Sequence, residues 1–145
     1  MIPAVSIIIP TWNRRDLVVA CLHSLERQTF QEYEIIVVDD GSTDDTVAML
    51  QRDFPKVKVE RREANQGFAK AVNAGIRPAR GEWIFLLNND VTLEPDCLEK
   101  LLTTAMQTNA DMIAPLILWK DSPETIYSAG DRMGVNARPE SIGFR

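Results

Sequence analysis

Two features of this sequence predict an α/β fold built on a mostly parallel sheet with helices on both faces. Apolar segments of strand character alternate with segments whose apolar residues recur at helical spacing, and three of the strand-like segments end in polar turns. Strand–helix–strand alternation needs crossover connections, which make neighbouring strands parallel and lay helices over the sheet. Size agrees with this. The 145 residues, 45% hydrophobic and 26% charged, make one globular domain or one and a fraction. Such a chain buries roughly 68–70% of its unfolded surface and needs no disulfide or metal to fold.

The elements follow in order. Val5-Ser6-Ile7-Ile8-Ile9, ended by Pro10, is a β-branched run suited to a strand buried on both faces. Leu17, Val18, Cys21, Leu22 and Leu25 mark an amphipathic helix over about 15–28. Residues 34–38 form a second buried strand, stopped by Asp39-Asp40-Gly41-Ser42. The stretch 42–45 is rich in capping residues and opens a helix over 44–53, with Val47, Leu50 and Phe54 inward. Residues 57–60 alternate, as a strand nearer an edge does. Asn65-Gln66-Gly67 opens a third helix with Phe68, Val72 and Ile76 on one face, bounded by Pro78 and Gly81. Residues 83–87 read as a central strand closed by Asn88-Asn89-Asp90. A fourth helix starts at Pro95-Asp96, with Leu98, Leu101, Leu102 and Met106 facing the core, and 111–118 reads as a fifth strand. From Asp121 onward, Pro123, Gly130, Gly134, Pro139 and Gly143 leave little periodicity, and a poorly ordered segment is expected.

Composition excludes several functions. Two cysteines, Cys21 and Cys97, are too few for a disulfide framework, and the lone His23 argues against a histidine zinc site or a Ser-His-Asp triad. A net charge of -5 argues against nucleic acid as a partner. No apolar run approaches the roughly 20 residues of a membrane span, and the first residues lack the marks of a signal peptide. A cytoplasmic protein is expected. The turn 10–14 carries no Gly-x-Gly-x-x-Gly and the chain no Walker A motif, which removes hydride transfer and P-loop hydrolysis. An acidic pair after the second strand also fits poorly with phosphatases that use Asp-x-Asp and with phospho-receiver domains.

Ligands of open parallel sheets bind outside the carboxyl ends of the strands, where the strand order switches. That rule points to the segments 11–14, 39–42 and 88–90. The first of these follows Val5-Ser6-Ile7-Ile8-Ile9-Pro10-Thr11-x-Asn13-Arg14, and the second follows Glu34-Ile35-Ile36-Val37-Val38-Asp39-Asp40-Gly41-Ser42. With Gln28-Thr29-Phe30, Asn65-x-Gly67-Phe68-Ala69-x-Ala71-x-Asn73-x-Gly75 and Gly81-Glu82-x-Ile84-x-x-Leu87-Asn88-Asn89-Asp90, they closely resemble the family-two glycosyltransferases. The resemblance runs to about Leu118 and is greatest to the rhamnosyltransferase-like branch.

The resemblance implies a GT-A (Rossmann-like) nucleotide-diphospho-sugar transferase fold, a UDP- or dTDP-sugar donor, Mg²⁺ or Mn²⁺, and transfer with inversion. It places Pro10, Thr11 and Asn13 around the nucleoside, with Arg14 offering its positive end to phosphate. Asp39 and Asp40 would contact base and ribose, Asp40 accepting from the imide N–H. Asn88 and Asn89 would face the donor, with Asp90 and Asn88 as metal ligands, Asn88 standing where the family has a first Asp. Gly67 allows close backbone approach at a helix N-terminus that favours anions, with Lys70 and Asn73 one turn apart beyond it. Trp12 would border the base and Trp119 the acceptor side; Trp83 reads as core, Cys97 as packing and His23 as solvent-facing.

Inverting transfer needs a general base. None is identified: Asp131 and Glu140 lie in a loop-like region. The expected organisation is a donor-binding domain over 1–120 and the start of an acceptor-side region over 121–145. The acceptor would be a saccharide or lipid-linked saccharide of a bacterial surface polysaccharide. Any attachment to the membrane's inner face would come through regions outside this chain. The alternative is a catalytically silent nucleotide-sugar binding module.

Overall fold

The structure, a computed structural model, describes residues 2–133 and 139–141. Gly134 and Gly143 lie outside the described residues. The chain divides into two compact units, Met1–Pro95 and Asp96–Arg145.

The first unit runs β1 (Val5–Thr11), α1 (Arg15–Glu26), β2 (Tyr33–Asp39), α2 (Thr46–Asp53), β3 (Lys58–Arg61), α3 (Phe68–Ile76) and β4 (Trp83–Leu86). The four strands form one parallel sheet in the order β3-β2-β1-β4. Going from β1 to β2 to β3 the chain moves one way across the sheet, and from β3 to β4 it moves back. Right-handed crossovers therefore put α1 and α2 on one face and α3 on the other. Pleating divides the β1 side chains accordingly. Ile8, Ile36 and Val38 pack with Ala71 of α3, while Ile7 and Ile9 point to the opposite face. All three isoleucines are fully buried, as a strand covered on both sides requires.

Pro10 decides where two strands part. The Ile8 carbonyl faces β4, accepting the Leu87 N–H at 3.0 Å. Residues facing the same neighbour recur every second position, so position 10 would next offer its N–H to β4. Proline has none. The β1–β4 register accordingly ends at Ile8↔Leu86, whereas β1–β2 continues to Thr11↔Asp39.

The third helix packs through its small residues, not through Phe68, Val72 and Ile76. Ala71 and Gly75 are buried, whereas Phe68 and Ile76 are exposed. The helix lies so close to the sheet that a Cβ at Gly75 would sit 2.5 Å from Ile8 Cγ2 and 2.8 Å from Val38 Cγ2. Large side chains have no room on that face. Nor is the fourth strand central among the described residues. Among the described residues β4 pairs only with β1, Ile84 and Leu86 are exposed, and Trp83 is half-buried rather than core. Leu17 is likewise exposed at the start of α1.

The second unit holds α4 (Cys97–Thr108), β5 (Ile117–Trp119), β6 (Ser122–Ser128), β7 (Asp131–Met133) and β8 (Pro139–Ser141). In α4, Leu98 and Ala105 are buried, Leu101 and Leu102 half-buried, and Met106 exposed, because Ala105 completes the stripe that Met106 was expected to complete. The fifth strand is confined to Ile117–Trp119 and pairs antiparallel with β6. Pro115, which cannot donate to a ladder, interrupts the apolar run before it. Where periodicity is lacking after Asp121, the backbone still forms β6, with the β-formers Thr125, Ile126 and Tyr127 in it, and β7 paired antiparallel with β8. Trp119 and Tyr127 meet edge to face across the β5–β6 pair, ring centres 4.8 Å apart.

Candidate functional site

Where β1 and β4 part, a cleft of about 240 Å³ opens, lined by Pro10, Thr11, Trp12, Arg14, Asp40, Asn65, Gly67, Phe68, Ala71 and the turn Asn88, Asn89, Asp90. This is the carboxyl end of the sheet, at the point where the strand order switches direction. Segments far apart in sequence meet there because each follows a strand of the same parallel sheet.

Cross-links hold the walls. Asn89 Nδ2 donates to Thr11 Oγ1 at 2.9 Å, tying the turn after β4 to the end of β1. Behind that turn, the Cys21 thiol donates to the Asn88 carbonyl at 3.8 Å. Burial, with a smaller contribution from the charge of Asp90, pushes this thiol up to about 12. Cys21 is therefore an inert packing group with one weak hydrogen bond. On the other side, the Asp40 N–H donates to the Thr11 carbonyl at 2.9 Å and keeps β2 alongside β1 to its end.

The two adjacent aspartates have separate roles because successive residues at a strand end point opposite ways. Asp39 does not line the cleft. It is fully buried, and its Oδ2 accepts the Ser42 N–H at 3.1 Å, which closes the turn before α2. Asp40 does line it. Its Oδ2 accepts the backbone N–H groups of Gln66 (3.1 Å) and Gly67 (2.9 Å), and its Oδ1 lies 3.2 Å from Arg62 Nη1. Asp40 thus fastens the turn 65–67 that forms the opposite rim. Gly67 is needed there for its φ of 91° and not for space, since a Cβ would meet nothing within 4 Å.

Asn13 also sits outside the lining. It adopts a φ of 50°, its N–H donates to Ser42 Oγ at 2.9 Å, and its Oδ1 accepts the Thr43 N–H at 2.8 Å. It holds the turn carrying Trp12 and Arg14 against the start of the next loop. Lys70 and Asn73 are exposed on α3 and are not part of the lining, because the helix face turned inward is the one with Ala71. Of the expected residues, Pro10, Thr11, Arg14, Asp40, Gly67, Asn88, Asn89 and Asp90 are brought together.

Trp12 and Phe68 are about half exposed on the lining, and Asn65 and Ala71 complete it. Periodicity puts Phe68 on one apolar helix face with Val72 and Ile76. Its place directly after Gly67, at the first turn of a helix opening at a strand-end cleft, is the signal that marks it otherwise. Arg62 carried no sequence signal.

Asp90 is the exposed carboxylate of the 88–90 turn. Among the described residues no three His, Cys, Asp or Glu side chains converge as metal ligands. The donors at the turn are one carboxylate and the amide oxygens of Asn88 and Asn89. Such an all-oxygen set fits a hard cation that draws further ligands from phosphate and water.

The family model described as Glycosyl transferase family 2 matches residues 6–145. A chondroitin synthase from Escherichia coli is 39% identical over 104 residues, covering 70% of this chain and 15% of that protein. Staphylococcal TarS (S. aureus, residues 1–349) in complex with UDP-GlcNAc gives a TM-score of 0.67 at 26% identity, covering 80% of this chain and 38% of that one. Mannosyltransferase PcManGT from Pyrobaculum calidifontis, in complex with GDP-Man and Mn²⁺, gives 0.62 at 28%, covering 75% and 33%. This chain spans about a third or less of the length of curated relatives it matches: 34%, 15% and 30% for three of them. A match that begins on β1 and runs to residue 145, over a parallel sheet shared with these structures, makes the chain a member of glycosyl transferase family 2.

Proposed function

We propose that this chain binds a UDP- or dTDP-sugar in the cleft, and that the protein to which it belongs transfers the sugar with inversion to a saccharide or lipid-linked acceptor. The carrying observation is the convergence of the turns after β1, β2 and β4 with the rim 65–68 around one cleft. Relatives with donors support the reading: TarS is solved with UDP-GlcNAc and PcManGT with GDP-Man. A polysaccharide product is supported by the likeness to a chondroitin synthase, and its place at a bacterial surface follows from the resemblance of the motifs. The resemblance of the motifs favours a rhamnosyl-type donor.

In this reading the Asp40 carboxylate accepts the imide N–H of the base, with Trp12 and Phe68 as apolar surfaces beside the ring. Thr11 and Asn89 keep the turn after β4 in place, and Arg14 offers charge to the diphosphate. Asp90, with Asn88, would hold Mg²⁺ or Mn²⁺. When bound, the cation supplies positive charge to the leaving diphosphate. The matching chain is read as a donor-binding domain over 1–120 followed by the start of an acceptor-side region, with the general base outside the segment 1–120. We assign the protein to the cytoplasm; no helix among the described residues is long and apolar enough to cross a membrane.

Calorimetric titration of UDP and dTDP, with Mn²⁺ and again with chelator, tests the proposal. Binding that requires the metal is expected. Asp90→Ala is expected to abolish the metal dependence while the fold remains. A folded chain that binds neither nucleotide refutes the reading, and unchanged binding with Mn²⁺ in Asp90→Ala refutes the metal assignment.

A further inference from the structure

The carboxylate that lines the cleft has an ion-pair partner that the motifs do not contain. Arg62 follows β3, and its N–H donates to the Asp39 carbonyl at 2.9 Å, which continues the β2–β3 edge by one residue. Its guanidinium is mostly buried, 16% exposed, and Asp40 is 6% exposed. Nη1 lies 3.2 Å from Asp40 Oδ1, while Nη2 donates to Gln66 Oε1 at 2.6 Å. One side chain therefore touches both the carboxylate and the turn that the carboxylate fastens.

The geometry of the pair matters more than its presence. At 3.2 Å the charges attract, yet the N–H is not aimed at the oxygen. Neither Asp40 Oδ1 nor Arg62 Nη1 has a hydrogen bond to any described residue. Oδ2 is saturated by two backbone N–H groups. A carboxylate this buried is costly without a counter-charge. Arg62 provides that charge, and Oδ1, itself covered, is left without a hydrogen bond to any described residue.

We propose that Arg62 is a positioning residue of the nucleotide site: it holds the Asp40 carboxylate oriented beside the cleft, with Oδ1 not committed to a hydrogen bond within the described protein, and braces the 65–67 rim through Gln66. The inference rests on the reading of the cleft as a nucleotide-sugar site. It makes Arg62 a determinant of base selectivity although it does not line the cleft. Uracil and thymine present an N–H where cytosine presents a bare ring nitrogen, so a carboxylate oxygen that accepts this N–H selects between them. Loss of a charged hydrogen bond of this kind corresponds to roughly tenfold in affinity.

The test is calorimetric titration of UDP and of CDP, each with Mn²⁺, into the full chain and into Arg62→Met, with the fold followed by circular dichroism. The wild-type chain is expected to prefer UDP by about tenfold or more, and Arg62→Met to lose most of that preference. An effect of Arg62 on stability alone would lower the melting temperature and leave the UDP-to-CDP ratio untouched, and that result overturns the proposal. Arg62→Gln, similar in length and polar, decides the matter in the same way if the methionine variant does not fold. Arg62→Lys restores the cation and is expected to recover part of the preference; a lysine variant no more selective than Arg62→Met also overturns it. Should the wild-type chain bind neither nucleotide, the reading of the cleft fails and takes this proposal with it. Selective wild-type binding with an unchanged ratio in the variants removes Arg62 alone.

Discussion

The two ends of the parallel sheet use the same kind of side chain to opposite effect. At the amino end, Glu34 is almost enclosed and every direction around it is occupied. It accepts from Ser6 Oγ (2.7 Å), Lys58 Nζ (2.7 Å) and both the backbone and the guanidinium of Arg80. Ser6 Oγ in turn accepts the Arg80 and Gly81 N–H groups, so the connection into β4 is pinned to β1. At the carboxyl end, Asp39 and Asp40 are as deeply buried, yet each keeps one oxygen without a hydrogen bond to a described residue. Native proteins satisfy nearly all buried polar atoms, and the exceptions ask for an explanation. The saturated end serves stability, and at the unsaturated end Asp40 is the aspartate that lines the cleft.

Substitutions can break or sharpen this contrast. The largest expected effect on stability is at the amino end. Glu34→Ala leaves Ser6 and two cations without their shared acceptor and should cost about 2–3 kcal/mol, the cations being half exposed and screened. Thermal denaturation should register it as a fall of roughly 10 °C, with UDP affinity of the folded protein unchanged. A parallel loss of affinity would break the division between the two ends.

Next comes Gly75→Ala, which forces a methyl group into Ile8 and Val38 and should cost about 1–3 kcal/mol in urea denaturation. Unaltered stability would mean that α3 is not seated as closely as its glycine implies.

Acid sharpens the comparison from a different direction. Burial alone would raise the Glu34 carboxyl, but the hydrogen bonds from Lys58, Ser6 and Arg80 outweigh it and bring it down from 4.5 to about 2. Above about pH 4.5 both folded and unfolded chains carry this charge, and its full contribution is present. As pH falls from 4.5 towards 2 the unfolded chain takes up the proton first, so the contribution shrinks and is gone below the folded value. Urea midpoints measured across that range should fall with acid in the wild-type chain and fall less in Glu34→Ala. The smallest effect on stability belongs to Asp90→Ala, within about 0.5 kcal/mol, because an exposed turn carboxylate supports little. The same substitution is the one expected to abolish the metal dependence of nucleotide binding.

Much of this was legible in the sequence for a simple reason. Residues 5–9 and 34–38 are buried on both faces, and an unbroken β-branched run has no other good solution. The turns that follow them had to lie together once the strands were parallel. The third helix was harder. Periodicity analysis assigns the large apolar residues to the core, but a helix pressed tightly onto a sheet selects Ala71 and Gly75 and leaves Phe68 and Ile76 outside. Asp39 and Asp40 look equivalent in a string of letters and are separated only by the pleat. Lys70 and Asn73 followed from a helix face that proved to be the outer one. Arg62 was invisible because its partners are assembled by tertiary structure: a strand edge, a neighbouring strand's last residue and a turn.

Cys21 gives the molecule a built-in clock. Thiol reagents react with the thiolate, and a thiol held near 12, fully covered by its neighbours, offers almost none at neutral pH. Its sulfur rests against the carbonyl of Asn88, so that carbonyl is part of the cover a reagent has to pass. The rate at which a small alkylating agent modifies this position therefore reports the opening of that cover, of which the turn carrying Asn88, Asn89 and Asp90 is one part. A ligand that clasps that turn would slow the clock without touching the cysteine.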